Sequence, residues 1–439
     1  MDGACVRPCE HPRIVPDPAP SPARPAPPAL RRNLLLDLTG AVGLGTTMVL
    51  VNSLLPSVAR REGLEPLGLA ALAAAPFLAN LLGVLAGRFG PRTPRGLGLM
   101  RAAGAALLIG LVLLPIPAFF EVIAFAFWLT IAFGIPMQHR IWAAIYPVRR
   151  RGRYLGVITT GRTAAAAVAA LAGGLIADRI GGLGAIAIGG GIGVMCGLIG
   201  GGIRASLAES GGSFAVRETW RAWQEVPALR RVGWAQVFYG GGLIAAGPLY
   251  ALVQVDRLDL TLAQVGSVGV VGALAATFSS LAWGALSERR GGLGIIQLGT
   301  MLGAASIVLW AVAPSIAFLW AGAALAGLAN AAMETGWPSL VAEHTSLADR
   351  AKAVAGLNAL TGARGLVAPF VAPLLVQAGI LGVEAALLLC AVATALGALL
   401  YSGMRPSGEV RPWLSRVDAG AQRGMRRARS LLPPAPGRR

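Results

Sequence analysis

Charge is scarce in this chain. Only 13% of its 439 residues are Asp, Glu, Lys or Arg, about half of the roughly 25% found in soluble domains. A soluble protein of this length would need charged surfaces that are missing, which excludes a string of soluble domains. Four cysteines build no disulfide framework. Cys196 and Cys390 fall inside apolar runs, and Cys5, Cys9 and His11 make a weak metal pattern in a Pro-rich stretch. No metal site is expected. No phosphate-binding GxxxxGK[ST] loop occurs, which argues against direct coupling to ATP. No hydrolase constellation is written either, so the chain reads as a non-enzyme without cofactors. Residues 1–30 lack the apolar core of a signal peptide, and their proline content predicts a disordered cytoplasmic extension.

What is present is apolar. Hydrophobic residues make up 55% of the chain and the mean hydropathy is +0.66. Twelve apolar stretches can be marked: Asn33–Pro56, Pro66–Leu85, Leu97–Leu114, Phe119–Ala143, Tyr154–Ile176, Leu183–Ile203, Val232–Leu252, Leu262–Ala285, Leu293–Val312, Pro314–Val341, Val354–Val376 and Ile380–Leu400. Most reach the about 20 residues that a helix needs to cross a bilayer. They are rich in Gly, Ala, Ser and Thr, the residues that let helices pack closely in lipid. The expected fold is an all-α polytopic membrane protein of twelve transmembrane helices, with the lipid bilayer as its surroundings.

The formal net charge of +18 is topological. Arg60, Arg61, Arg179 and Arg257 fall in loops on one side, Arg140, Arg162 and Arg364 fall inside apolar runs, and the other basic residues collect on the opposite side. The positive-inside rule then places both termini and the basic loops in the cytoplasm. Basic charge so arranged speaks for anionic lipid, and no nucleic-acid partner is expected. Arg greatly outnumbers Lys, a composition that suggests a high-GC genome and a bacterial-style inner membrane.

The chain is written twice. Arg31-Arg32 precede the first apolar run as Arg230-Arg231 precede the seventh; Gly83 corresponds to Gly284, Trp142 to Trp337 and Arg153 to Arg350, always about 200 residues apart. The organisation expected is a tail (1–30), a first six-helix half (31–203), a cytoplasmic central loop (204–231), a second half (232–404) and a basic tail (405–439). Two pseudo-symmetric halves of this kind are the plan of many secondary transporters, with the substrate site between them near the midplane.

Two short loops carry a family resemblance. "GVLAGRFGP" (Gly83 to Pro91) and "GALSERRGG" (Gly284 to Gly292) resemble the repeated Gly-x-Leu-Ala-Asp-Arg-x-Gly loop of the major facilitator superfamily. Gly83, Arg88 and Gly90 fit in the first copy, where Gly87 replaces the acid; Gly284, Glu288, Arg289 and Gly291 fit in the second. "RRRGRYLG" (Arg149 to Gly156) and "LADRAKAVAG" (Leu347 to Gly356) resemble that family's loops before helices 5 and 11. The resemblance implies alternating access, a cytoplasmic latch built from these loops, and a monomer that takes a small-molecule substrate. The absence of an acid at Gly87 puts the first latch in doubt, and plain anchoring of the loops by their arginines explains the charges equally well.

Ionisable groups within apolar runs are costly and so are candidates for function. Asp37 shares a helix face with Ala41, Met48 and Asn52. It either lines a cavity, as helices 1, 4, 7 and 10 do in that family, or complements the helix dipole near Arg32. Gln138, His139 and Arg140, with Arg162 about 13 Å into helix 5, form a candidate cationic patch. For His139 simple packing is the competing explanation. Asn330, Glu334 and Trp337 share a face of helix 10, Glu334 corresponding to His139 through the repeat. Arg364 either serves the site or forms a structural ion pair with Glu334. The family's drug–proton exchangers carry an arginine four residues before a helix-4 glycine; ahead of Gly134 that position is Thr130. Sugar-porter loop signatures are also missing. The resulting expectation is a secondary transporter of a small lipophilic or amphipathic solute, with protons as candidate coupling ion and efflux ahead of uptake. The alternative is a non-transporting membrane scaffold or assembly factor of the same fold.

The charge distribution makes a direct prediction. Reporter fusions after Arg95 and after Met404 read cytoplasmic, and one after Arg61 reads periplasmic. A periplasmic signal after Met404 would break the even helix count.

Overall fold

A computed structural model describes residues 27–113, 116–147, 151–205, 227–344 and 350–402. All regular structure among them is helical, in twelve segments. Helix α1 runs through Pro27–Val49, a π-helical turn at Leu50–Leu54, and Leu55–Arg61. Helix α2 is Pro66–Leu82, prolonged by a tight 3-10 turn (Gly83–Leu85) and Ala86–Phe89. Then follow α3 (Pro94–Leu113), α4 (Pro117–Ile145), α5 (Arg151–Ile180) and α6 (Gly182–Gly200). The second half begins with α7, Pro227–Leu252 closed by a second π-helical turn at Val253–Arg257. A continuous helical stretch, Leu262–Ala311, is broken at Gly291, whose φ of 73° no ordinary helix contains. It comprises α8 (262–290) and α9 (292–311). The last three are α10 (Ile316–His344), α11 (Arg350–Gln377) and α12 (Val383–Ser402). Among the described residues eleven spans are long and apolar enough to cross a membrane, and Pro66–Leu82 is a shorter apolar helix.

Local sequence accounts for most helix starts. Proline stands at or next to the first position of α1, α2, α3 and α4, where its missing N–H costs nothing. Thr93 accepts a hydrogen bond from the Gly96 amide at the head of α3 (3.0 Å). Thr261 and Gln264 form a reciprocal capping box on α8. Helix α1 runs past Pro56 to Arg61, farther than its apolar run, because the π turn stands just ahead of a proline that cannot donate a backbone hydrogen bond. Arg60 and Arg61 consequently sit in a last helical turn, and so, at the ends of α5 and α7, do Arg179 and Arg257, none of them in a loop. Arg257 uses that position to donate to the carbonyls of Ala311 (2.6 Å) and Trp310 (2.8 Å) at the end of α9, a favourable place for a cation.

Small residues set the helix spacing. A Cβ on Gly98 of α3 would lie 2.6 Å from the Gly197 carbonyl oxygen of α6. The two family-like loops use glycine in a related way. A Cβ at Gly90 would approach the Phe133 carbonyl oxygen of α4 to 3.0 Å, and one at Gly292 would approach the Gly336 carbonyl oxygen of α10 to 2.7 Å. Each loop is thereby pinned to the fourth helix of its own half. Gly83 and Gly284 meet no close backbone, and Arg289 is exposed. The side chains of Arg88 and Glu288 and the surroundings of Gly87, on which the expected latch depends, lie outside the described residues, as do the tails 1–26 and 403–439.

The close approach at Gly292 is testable. Gly292→Ala lowers stability in thermal unfolding by about 1–3 kcal/mol, the usual cost of overpacking. Gly110→Ala, where nothing lies within 4 Å of the added carbon, leaves the unfolding midpoint nearly unchanged.

Candidate functional site

The two halves meet firmly at one end. Arg60 at the tip of α1 pairs with Asp256 of α7 at 2.7 Å. Ser57 donates to Gln254 Oε1 at 2.8 Å in a buried setting, and Arg61 reaches the Leu260 carbonyl. Asp178 at the end of α5 accepts hydrogen bonds from the backbone amides of Leu262 (2.8 Å) and Ala263 (3.1 Å). A carboxylate from the first half therefore caps the first helix of the α8–α9 pair in the second half. On the other flank, Gln377 of α11 donates to Glu65 (2.7 Å) and accepts from the Leu67 amide (3.1 Å).

Beyond this closed end lies a cavity of about 940 Å³. Its walls come from α1, α5, α7, α8, α9 and α10. Polar groups are contributed by Asn52 and Ser53 of α1; Thr159, Thr160 and Thr163 of α5; Tyr250 and Gln254 of α7; Thr277 and Ser280 of α8; and Asn330 and Glu334 of α10. The remainder is mostly Ala, Gly, Val and Leu, with Trp310 stacked on Tyr250 at 4.2 Å between centroids. Glu334 is the one carboxylate, and no Lys, Arg or His is among the described lining residues. A smaller cavity of about 330 Å³ shares Asn52, Pro56, Gly247 and Tyr250 with the first and extends between α1, α2, α4 and α7. Both π-helical turns face this space: Asn52 belongs to the first and Gln254 to the second. An inserted residue of that kind is common at functional positions.

The structure separates the candidates that the sequence groups. Asn52, Asn330 and Glu334 line the large cavity and are exposed in it. Trp337 does not; it is half-buried against a cluster that includes Tyr239, Ile296 and Tyr401. Asp37 is buried away from both cavities, 2% exposed, and it accepts hydrogen bonds from two side chains of α4 and from the residue that caps its end. These are Gln138 Nε2 (3.0 Å), Trp142 Nε1 (2.9 Å) and the Tyr146 hydroxyl (2.8 Å). Arg101 of α3 completes the cluster by donating to Gln138 Oε1 at 2.6 Å. The face expected to join Asp37 to Asn52 is broken by the π turn. One extra residue there rotates the rest of α1 by about 100°.

The expected cationic patch is not assembled at the cavity. His139 is exposed and packs edge-on against Trp142 at 5.2 Å, Arg140 is half-buried, and Arg162 is exposed with its stem beside Gly45 of α1. None lines either cavity. Arg364 is no partner of Glu334: among the described residues the sole ion pair is Arg60–Asp256. Arg364 instead donates to the Gln236 side chain on α7. Gln236 occupies the place in the second half that Asp37 occupies in the first, 199 residues earlier. Both halves thus anchor their first helix through a buried polar contact, with different chemistry. Sequence reading missed the hydroxyl wall of α5. Thr159, Thr160 and Thr163 at i, i+1 and i+4 were its available sign, ambiguous because Ser and Thr also bond their own helix, as Thr277 does to Ala273.

With two bundles, a central cavity and repeated glycine loops, comparison by sequence is decisive. The chain matches the Major Facilitator Superfamily over residues 38–305 and 232–434. It belongs to that family. No curated protein matches it by sequence. Among solved structures it resembles a bacterial homolog of the human lysosomal transporter Spinster in an inward-facing, unoccupied conformation. That likeness has a TM-score of 0.64 at 17% identity, covering 86% of this chain and 97% of that one. It also resembles a D323A mutant of the nucleoside transporter NupG (TM-score 0.69, 13% identity, 85% and 99% covered). A third relative in fold is the human organic anion transporter MFSD10 (TM-score 0.57, 15% identity, 86% and 100% covered). At such identities the likeness concerns the fold. This superfamily member is an integral membrane protein with the architecture of secondary transporters.

The Asp37 cluster yields a prediction for this facilitator. Asp37→Ala strands the Trp142 and Tyr146 donors without an acceptor, at about 1–3 kcal/mol for each group. Thermal unfolding shifts down accordingly, while a ligand bound in the large cavity still stabilises the variant. Loss of ligand binding with unchanged stability would place Asp37 in the site after all.

Proposed function

We propose that this protein is a secondary transporter that carries a small amphipathic organic solute by alternating access, with the 940 Å³ cavity as the substrate site. The observation that carries the reading is the pairing of a cavity between two halves with a bonded seal at one end of it. Largely apolar walls with scattered hydroxyls, amides and one carboxylate suit a solute with an apolar body and a few polar groups. They do not suit a polyanion. The positive-inside rule applied to the basic loops supports a cytoplasmic unsealed end, and with it an inward-facing conformation in a plasma membrane of bacterial type. A monomer suffices for this reading, as the cavity lies within one chain.

Glu334 is assigned the coupling role. Proton-driven transport needs a group whose protonation the two conformations favour unequally. Glu334 is the carboxylate in the cavity wall and has no ion-pair partner among the described residues. Efflux fits a cavity that loads from the cytoplasm. In proteoliposomes, Glu334→Gln retains substrate counterflow and loses accumulation driven by a proton gradient. Undiminished accumulation would remove the proton from the mechanism. Absence of any solute flux in wild-type vesicles, with stable co-purification of another membrane complex, would favour the scaffold alternative.

A further inference from the structure

Two cavities adjoin inside this protein, and the internal repeat relates them. The side cavity of about 330 Å³ takes Leu72, Ala73 and Pro76 from α2. Moved on by 201 positions, the spacing that carries Gly83 to Gly284, these become Ala273, Leu274 and Thr277 of α8. All three stand in the wall of the large cavity. Helices α1 and α7, themselves related by the repeat, line both spaces. Each half thus presents the corresponding face of its second helix to a cavity, yet the two cavities differ in chemistry. The large one has hydroxyls, amides and the Glu334 carboxylate. The side cavity has two polar residues, Asn52 and Tyr250, and both stand at the neck that joins it to the large one. Beyond the neck its described lining is apolar, from Val51, Leu69 and Leu72 to Phe77, Leu243 and Ile244. Water there finds hydrogen-bond partners at the neck alone, so an apolar group displaces it favourably.

A missing side chain keeps the neck open. Asn52, Pro56, Gly247 and Tyr250 line both cavities, and a Cβ built on Gly247 meets nothing within 4 Å. Unlike Gly98 or Gly292, this glycine serves no close approach of helices; a larger residue there would stand in the passage. Its neighbour Tyr250 is held by stacking on Trp310 at 4.2 Å. Trp310 in turn lies against Gly322 of α10, 2.8 Å from a Cβ built there. Glu334 follows Gly322 by 12 positions on the same helix, which is about 18 Å along its axis. The apolar space and the carboxylate therefore lie at opposite ends of an elongated site.

We propose that the side cavity is a second substrate subsite, and that the solute is an elongated amphiphile with a cationic head near Glu334 and an apolar terminal group held past the neck. The lone carboxylate sets the sign of the head, as an anionic head would face Glu334 with no cation in the described lining. Thr159, Thr160, Thr163 and Asn330 serve the polar middle of the molecule. Gly247 is the specificity-determining position, because its bare backbone sets the width of the neck. Calling the ligand a substrate rests on the transporter reading, whereas the test is one of binding.

The test uses the full chain in lipid nanodiscs and two tritiated probes that share a trimethylammonium head and an oligoether linker of about 15 Å, a length set by the helical rise. One probe ends in a methyl group and the other in a naphthyl group. Equilibrium binding is measured with empty nanodiscs subtracted, and comparing variants in the same lipid cancels partition of the probes into the bilayer. The naphthyl probe binds the wild type about tenfold more tightly than the methyl probe, the equivalent of about 1.4 kcal/mol. Gly247→Leu obstructs the neck and brings the ratio of the two dissociation constants to within roughly twofold of unity. Ala73→Trp fills the side cavity from its far wall and does the same, so the test stands if one variant does not fold. A ratio that neither variant changes would overturn the subsite. So would a wild type that binds neither probe or shows no naphthyl preference, the result expected if a lipid chain already fills the side cavity. Solute flux in vesicles with an unchanged ratio leaves the transporter reading standing without the subsite. A ratio lost as expected, with no flux, supports the subsite and overturns the transporter reading instead.

Discussion

Everything about this molecule depends on a seal that must be strong enough to hold and weak enough to break. Its parts are of modest strength. The Arg60–Asp256 pair is partly exposed, 26% and 41% at its two side chains, and such pairs contribute about 0.2–1 kcal/mol. The Ser57–Gln254 hydrogen bond contributes about 1 kcal/mol. The cap that Asp178 places on α8 contributes about 0.5–2 kcal/mol. Shifting a two-state equilibrium from one extreme to the other takes about 5.5 kcal/mol. The polar contacts of the seal together are of that order, and they sit beside an apolar cluster that both halves share, Leu55 and Val58 with Leu249 and Val253.

Internal duplication supplies the geometry, and departures from it supply direction. Both halves carry a π-helical turn in their first helix beside the cavity. Both pin a glycine loop to their fourth helix. Asp37 in one half and Gln236 in the other are equivalent, but the first is held by Gln138, Trp142 and Tyr146 and the second by Arg364. The carboxylate in the cavity belongs to the second half alone. A symmetric machine would have no preferred side for its ligand. Here the polar anchor of the first half is buried structure, and the ionisable group of the second half faces the cavity.

Much of the fold was legible because a run of about 20 apolar residues has few other fates, and because landmarks recurred at a constant spacing. Helix ends were less so: α1 outran its apolar stretch, since a π turn let the helix absorb Pro56. The same turn defeated the reading of the α1 face, as helical periodicity assumes that no residue is inserted. Asn330 and Glu334 could be placed together by spacing on an unbroken part of α10. Arg364 could not be paired correctly, because its partner lies 128 residues away on α7, and nothing in local sequence specifies which helix stands alongside. The threonines of α5 carried no sign of whether they faced the cavity or their own backbone.

The cap on α8 has a thermodynamic consequence. While the seal holds, the amides of Leu262 and Ala263 and the carboxylate of Asp178 satisfy one another. Once the halves separate there, each of these groups must find another partner, and in an opening cleft that partner is the solvent. Opening this end is therefore a hydration reaction as well as a rotation of rigid bodies. Its equilibrium carries the activity of water as a reactant, so solutes excluded from the cleft draw the protein toward the sealed form by osmotic stress alone.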